Sequence, residues 1–432
     1  MPSVHDLERA PPRRVPLTAL SIAAAALTLA TVLLRQKAGR PVVQRSLREG
    51  HPPGCAELSR LPARGGAHRR MLAKAGIPLS DPLFSKLCSS EPVSSARGGC
   101  YHIRGRIICL PSFLVVGFTK AGTSVFFQYA SQHKRVRVSS VKEPAYLGSD
   151  LEVAWADEVV AAGRSGGGNA SGALETRRRK GLRWYASLFP ACPSCERGEA
   201  TPGYAWRDYS SVAAAQAAKL LGGAVRLIML VREPIARAAS HYIYFARKRR
   251  LLARGTNLST ALRLGLDEFQ RCAAQLDGWT EQCVYRPGRR QVEIAAAAIG
   301  QRRPELWRLR SGKTAHELLQ AGLYSEHYET WQRRFGKEAI LVIDLATLIH
   351  EPVHAMRKFE KHLGLPYGKY EVSDEHALSN DDRGGGPKPG AAADAALARE
   401  VPSGLRADLQ AFFRPFNRKL RRLTGVGWEY SM

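Results

Sequence analysis

Two stretches of this 432-residue chain have the residue types and spacing that anion chemistry needs. The first is Gly117-Phe118-Thr119-Lys120-Ala121-Gly122-Thr123-Ser124, between the apolar run Ser112 to Gly117 and a helical pattern from Ser124 to His133. A loop in that position turns backbone N–H groups and the positive end of a helix toward a phosphate. Lys120 would add a point charge, Thr123 and Ser124 hydroxyl donors, and Ala121 and Gly122 belong to the same cradle. Gly117 and Gly122 keep the spacing of the nucleotide loop GxxxxGK[ST]. The lysine, however, lies inside the loop, and Thr123 stands where that pattern has its lysine, so a nucleoside-triphosphate kinase would lack its main phosphate ligand. The plainer alternative is an ordinary strand–helix turn. The second stretch runs from Arg226 to Tyr242. An apolar strand ends at Arg232, and Pro234 opens a helix at a favourable place for proline. Ser240 lies two turns on, near the same face, so that Arg232 and Ser240 are suited to hold a second phosphate together.

The elements that must position these groups read as alternating strands and helices. Strands are expected at 112–117, 136–141, 225–231 and 339–343, and helices at 124–133, 211–221, 234–250, 352–363 and 405–423. That alternation argues for an α/β domain with a central parallel sheet flanked by helices. Residues 150–183 read as a low-complexity insert and 381–394 as a Gly/Pro-rich loop.

In combination the motifs resemble the sulfotransferase family that uses 3′-phosphoadenosine 5′-phosphosulfate (PAPS). The Lys120 loop is similar to that family's 5′-phosphosulfate loop, and the Arg232–Ser240 stretch to its 3′-phosphate motif. Three more segments resemble the Golgi carbohydrate branch: Gly198-Glu199-Ala200-Thr201-Pro202-Gly203-Tyr204, Gly322-Leu323-Tyr324 with Trp331 and Phe335, and Phe412 to Leu420 with Trp428. The likeness covers roughly residues 110–432 in consistent order and is strongest toward N-acetylgalactosamine 4-sulfate 6-O-sulfotransferases. It implies a P-loop-like sulfotransferase fold, PAPS as co-substrate, PAP as product and no metal. Lys120 would neutralise the departing phosphate oxygens. Glu143, in Val141-Lys142-Glu143-Pro144, matches the family's proposed general base; the bland alternative is a surface carboxylate paired with Lys142. His133 is the fallback base. Lys142 and Glu199 are candidates for contact with the acceptor or sulfonate. Arg383 and Lys388 are candidates to cover the nucleotide, with a plain linker as the alternative. The resemblance also implies a Cys272–Cys283 disulfide.

Composition sets the frame. Sixty-five Lys and Arg against 38 Asp and Glu give a net charge of +27, and 44% of residues are hydrophobic. A wholly disordered chain is excluded, and an anionic partner is the first expectation. Val15 to Leu34 is 20 residues without a charge, long enough as a helix to span a bilayer core. The expected organisation is a tail at 1–14, a single membrane anchor at 15–34, a basic stem at 35–109 and a catalytic domain at 110–432. The cations after the span outnumber those before it, which argues for a cytosolic C-terminal side. Eight cysteines and the sequons at Asn169 and Asn257 argue for the lumen, as a single-pass type II protein of the Golgi membrane. Cys192-Pro-Ser-Cys195 lacks a second ligand pair for zinc, leaving a structural disulfide or free thiols. The acceptor is expected to be an anionic glycan; no nucleic-acid reader motif is present. The competing readings are a P-loop kinase or NTPase, with Leu341-Val342-Ile343-Asp344 resembling a Walker B strand, and a non-catalytic polyanion-binding membrane protein.

Overall fold

The computed structural model describes residues 51–53, 55, 82–94, 99–147, 181–206, 210–244, 257–275, 283–284, 315–372 and 398–430. All lie in one unit, Val43–Met432. The expected anchor at 15–34, Asn169, Arg383, Lys388 and nearly all of the insert lie outside the described residues, and so does most of the stem. Among the described residues no helix is long and apolar enough to cross a membrane.

Helix α1 (Pro82–Cys88) leads into a small antiparallel sheet of β1 (Pro92–Ser94), β2 (Cys100–Ile103) and β3 (Arg106–Cys109). Then follow β4 (Phe113–Gly117), α2 (Thr123–Gln132), β5 (Val136–Val138), β6 (Glu196–Ala200), α3 (Ser210–Leu221), β7 (Arg226–Val231), α4 (Pro234–Ile243) and α5 (Leu258–Gln275). The chain closes with α6 (Ala315–Gln320), α7 (Tyr324–Phe335), β8 (Ile340–Asp344), α8 (Leu345–His350), α9 (Pro352–Leu363) and α10 (Ser403–Thr424). The five later strands form one sheet in the order β5-β6-β4-β7-β8, with every pair parallel. This is the α/β architecture expected.

β4 is buried along its whole length, as a central parallel strand must be. Phe113 meets Phe359 of α9 edge to face at 5.3 Å, and Phe359 meets Phe126 of α2 at 5.1 Å, which locks both helices to the sheet. A second core joins Ile235, Leu262, Phe269, Leu319 and Phe413 from α4, α5, α6 and α10. Beyond the expected helix at 211–221, α3 is fixed to α7 by the Trp331 indole, which donates to Ser210 Oγ at 3.1 Å.

Three expectations change. The stem does not extend to residue 109: Phe84 and Leu87 of α1 are fully buried in the main core. Cys55–Cys88 ties the end of α1 to the preceding segment and Cys100–Cys109 staples β2 to β3, a device for elements too small to hold alone. The strand expected at 136–141 ends at Val138, because the chain there turns toward two residues with positive φ, Glu143 and Ala145. β6 was not read as a strand at all.

Candidate active site

The Lys120 loop leaves the C-terminal end of β4, where open parallel sheets bind ligands. Two glycines explain its close fit. A Cβ on Gly117 would stand 2.8 Å from the Ala205 methyl. Gly122 has φ +92 and would meet Leu345 Cδ1 at 2.4 Å. Gly122 is also the N-cap of α2 and, as a glycine, brings no side-chain cap, so among the described residues the first-turn amides face the loop without a capping hydrogen bond from their N-cap. Lys120 is held at φ +68, a costly conformation for a non-glycine residue, and its Nζ lies 5.6 Å from the Tyr244 ring centroid.

β7 brings Arg232 alongside. Its guanidinium donates to the Lys120 carbonyl at 3.4 Å, tying the two sequence motifs into one site. The Tyr324 hydroxyl brackets Arg232: it accepts from the backbone N–H at 3.2 Å and donates to the carbonyl at 2.7 Å. In contrast to α2, α4 is fully capped by its own chain. Glu233 accepts from the amides of Ile235 at 3.1 Å and Ala236 at 2.6 Å, and Tyr430 hydrogen-bonds to the same carboxylate. An anion on this arm is therefore left to Arg232 and Ser240. Ser240 is 1% exposed, and its Oγ has no partner among the described residues, an arrangement that costs about 1–3 kcal/mol unless a ligand completes it. Beneath the loop, Arg237 is wholly buried. It donates to the carbonyls of Thr119 and Leu318 and meets His241 Nδ1 at 3.1 Å; burial lowers its pKa to about 10.

Glu143 lies on the other flank, beyond β5. Its amide donates to the Ala200 carbonyl at the end of β6, and its carboxylate is exposed and paired with Lys142 Nζ at 2.7 Å. Glu199 is different from its sequence reading. It sits within β6 with no exposed surface, and its oxygens accept from Tyr185 at 3.0 Å, Tyr204 at 3.0 Å and Thr201 at 2.5 Å. Burial pushes its pKa up to about 7. Enclosed in this way, it does not reach an acceptor, so its expected contact role is corrected.

His133 also leaves the site. It is buried at the C-terminal end of α2, about 15 Å along the helix from the loop. Its Nδ1 accepts from the Arg135 amide at 3.1 Å and its Nε2 bonds to the Pro366 carbonyl at 3.0 Å, so both nitrogens are structural. The Cys272–Cys283 bond is present. Cys192–Cys195 is a disulfide rather than a zinc half-site, and all eight cysteines are paired. Asn257 is exposed and caps α5 by accepting from the Thr260 amide at 2.8 Å. The sequence reading missed Arg237, Glu233 and Tyr430. Glu233 was legible in principle, since a carboxylate before Pro234 is a good cap.

The Lys120 loop at the end of β4, Arg232 and Ser240 after β7 and Glu143 near the end of β6 thus all follow the C-terminal ends of parallel strands, where open α/β sheets bind ligands. The chain belongs to the sulfotransferase domain family, whose model matches residues 110–382. Among curated relatives, heparan sulfate glucosamine 3-O-sulfotransferase 6 of Homo sapiens is 25% identical over 332 residues, covering 74% of this chain and 73% of that protein. Heparan sulfate glucosamine 3-O-sulfotransferase 3B1 of Mus musculus is 24% identical over 358 residues, 79% of this chain and 69% of that one. A sulfotransferase from Alicyclobacillus acidocaldarius superposes with a TM-score of 0.47 at 18% identity, covering 74% of this chain and 98% of its own. The chain is thus a sulfotransferase. The narrower likeness to N-acetylgalactosamine 4-sulfate 6-O-sulfotransferases gives way to these relatives, and the kinase and non-catalytic readings are set aside.

Proposed function

We propose that this chain transfers the sulfuryl group of PAPS to a hydroxyl of a glycosaminoglycan-like carbohydrate, with Glu143 as general base. The observation that carries the reading is the buried Ser240 hydroxyl, without a partner among the described residues, two helical turns after an arginine that is itself hydrogen-bonded to the Lys120 loop. That pairing suits the two anionic ends of PAPS. The printed names of the relatives support a carbohydrate acceptor.

PAPS supplies an activated sulfuryl group on a good leaving phosphate. Lys120 and the uncapped start of α2, with Thr123 and Ser124, hold the phosphosulfate end; Arg232 and Ser240 hold the 3′-phosphate. The acceptor oxygen forms its bond to sulfur as the bond from sulfur to the phosphate oxygen breaks, and PAP leaves with Lys120 neutralising its charge. The acceptor proton passes to the Glu143 carboxylate, a base that a sugar hydroxyl needs. Lys142, now paired with Glu143, is free to turn to the sulfonate or to acids of the acceptor when the base accepts its proton. No step requires a metal. Arg383 and Lys388 are assigned to cover the nucleotide. The reading includes a Golgi-membrane type II protein anchored by 15–34, with its catalytic part luminal and glycosylated at Asn169 and Asn257. Eight cysteines all in disulfides support an oxidising compartment.

The test is transfer from ³⁵S-labelled PAPS to a panel of native and desulfated glycans. Labelled product that disappears with Lys120→Ala and Glu143→Gln supports the reading. ATP hydrolysis without PAPS binding, or glycan binding without transfer, would sink it.

A further inference from the structure

The loop that carries Glu143 is unusual in three ways. Glu143 has φ +58 and Ala145 φ +52, so two non-glycine residues within three positions are left-handed, at about 1–3 kcal/mol each. Past the backbone bond from the Glu143 amide to Ala200, the loop is anchored by side chains: the Ala145 amide donates to Thr201 Oγ1 at 3.3 Å, and the Leu147 amide to the Tyr204 hydroxyl at 3.0 Å. Those same two hydroxyls both donate to Glu199.

A hydroxyl has one proton and two lone pairs. An ionised carboxylate accepts only, so it fixes the direction of every hydroxyl that touches it. With Glu199 ionised, Thr201 and Tyr204 must point their protons at it and present lone pairs to the loop amides. We propose that Glu199 is a positioning residue, whose charge orients the Thr201 and Tyr204 hydroxyls so that they hold the Glu143 loop in its strained, reactive shape. The proposal rests on Glu143 being the base.

The arrangement makes the loop sensitive to protonation. A neutral Glu199 carries its own proton, which must go to one of the three hydroxyl oxygens, and that hydroxyl then loses its acceptor. The titratable groups around Glu199 are Tyr185 and Tyr204, Tyr146 stacked on Tyr185 at 4.4 Å, and Glu143 with its partner Lys142. From β4, the residue opposite is the apolar Leu114. Burial, the largest influence, raises the Glu199 pKa to about 7, and the charge on Glu143 acts in the same direction. The orienting charge therefore appears as pH rises through about 7.

The experiment is a kcat profile of the full chain at saturating donor and acceptor between about pH 5.5 and 8.5, with PAP affinity measured alongside. The wild type should show a limb rising with pH near 7. Glu199→Gln should lower kcat at least tenfold at pH 8 and erase that limb, with the PAP Kd unchanged within twofold. Thr201→Val, isosteric and fold-preserving, should lower kcat similarly, and Thr201→Ser should restore it. A Glu199→Gln enzyme that keeps the limb, or equal kcat in Thr201→Val and Thr201→Ser, overturns the proposal. If Glu199→Gln fails to fold, the Thr201 pair decides. Full activity of Glu143→Gln would instead refute the base assignment.

Discussion

Replacing Ser240 with alanine should push stability and function in opposite directions. The Ser240 hydroxyl is buried on α4 with no hydrogen-bond partner among the described residues, so the donor-free protein carries its desolvation cost without return. Removing an unpartnered buried hydroxyl recovers about 1–2 kcal/mol, because alanine fits the same space without a polar atom. For a chain of this size that raises the melting temperature of the free protein by roughly 1–2 °C. The bound state reverses the sign. A hydrogen bond to a charged phosphate contributes about 1.5–3 kcal/mol, so the variant should bind PAP about 10- to 150-fold more weakly. Scanning fluorimetry of the free protein gives the first number, and isothermal titration with PAP the second. Titration with adenosine 5′-phosphate, which lacks the 3′-phosphate, is the control and should not distinguish the variant from wild type. A variant that melts earlier than wild type, or that loses both nucleotides in equal measure, would refute the reasoning.

Other perturbations have signs set by the same geometry. Gly122→Ala adds a methyl that meets Leu345 at φ +92, so a loss of about 2–4 kcal/mol is expected in urea unfolding; wild-type stability would contradict the fit described. Converting Cys272 and Cys283 to serine opens a ring with a sequence separation of 11 and should cost about 3 kcal/mol, seen as a lower urea midpoint under non-reducing conditions; an unchanged midpoint would contradict it. Glu268 of α5 is 4% exposed with neither oxygen partnered among the described residues, and burial raises its pKa from 4.5 to about 7. The fold thus binds a proton there that the unfolded chain releases, and the associated stability is present below pH 4.5 and lost as pH rises through about 7. The full loss is about 3 kcal/mol, so stability should fall less between pH 5.5 and 8.5 in Glu268→Gln than in wild type; identical slopes would refute the assignment.

The sheet was legible where hydropathy alternates with turn residues: β4, β7 and β8 are apolar runs, and each was read within a residue or two. β6 was not, and Arg197 shows why. Its sequence, Glu-Arg-Gly-Glu-Ala, looks like a solvated turn, yet it is almost wholly buried. The Arg197 guanidinium is dissolved in backbone carbonyls, those of Leu110, Cys192 and Cys195, at 2.6–3.0 Å. Glu199 is dissolved in hydroxyls. Leu110 is 87 positions away and Tyr185 is 14, while the nearer partners lie in the irregular segments that flank the strand, so no local period announces them. The donor arm was readable because strand, proline and serine follow one another closely. Its support was not, since Tyr324 reaches Arg232 from 92 positions away. Likewise Tyr430, which hydrogen-bonds to the Glu233 cap of α4, comes from 197 positions away.

The strand order has a consequence for how two negatively charged reactants share one cleft. With β4 in the middle, Arg232 and Arg237 come from the β7 side, whereas Glu199 and Glu143 lie on the β6 side. The two flanks treat their charges differently: the Glu199 carboxylate is enclosed by hydroxyls and Glu143 is paired with Lys142, whereas Arg237 on the β7 side is spent on backbone carbonyls. On the proposed function, the donor's anions are received on the β7 side and the acceptor hydroxyl on the β6 side, with Lys142 as the cation nearest the base. The two reactants then meet over the end of β4, and the sulfuryl group crosses that strand.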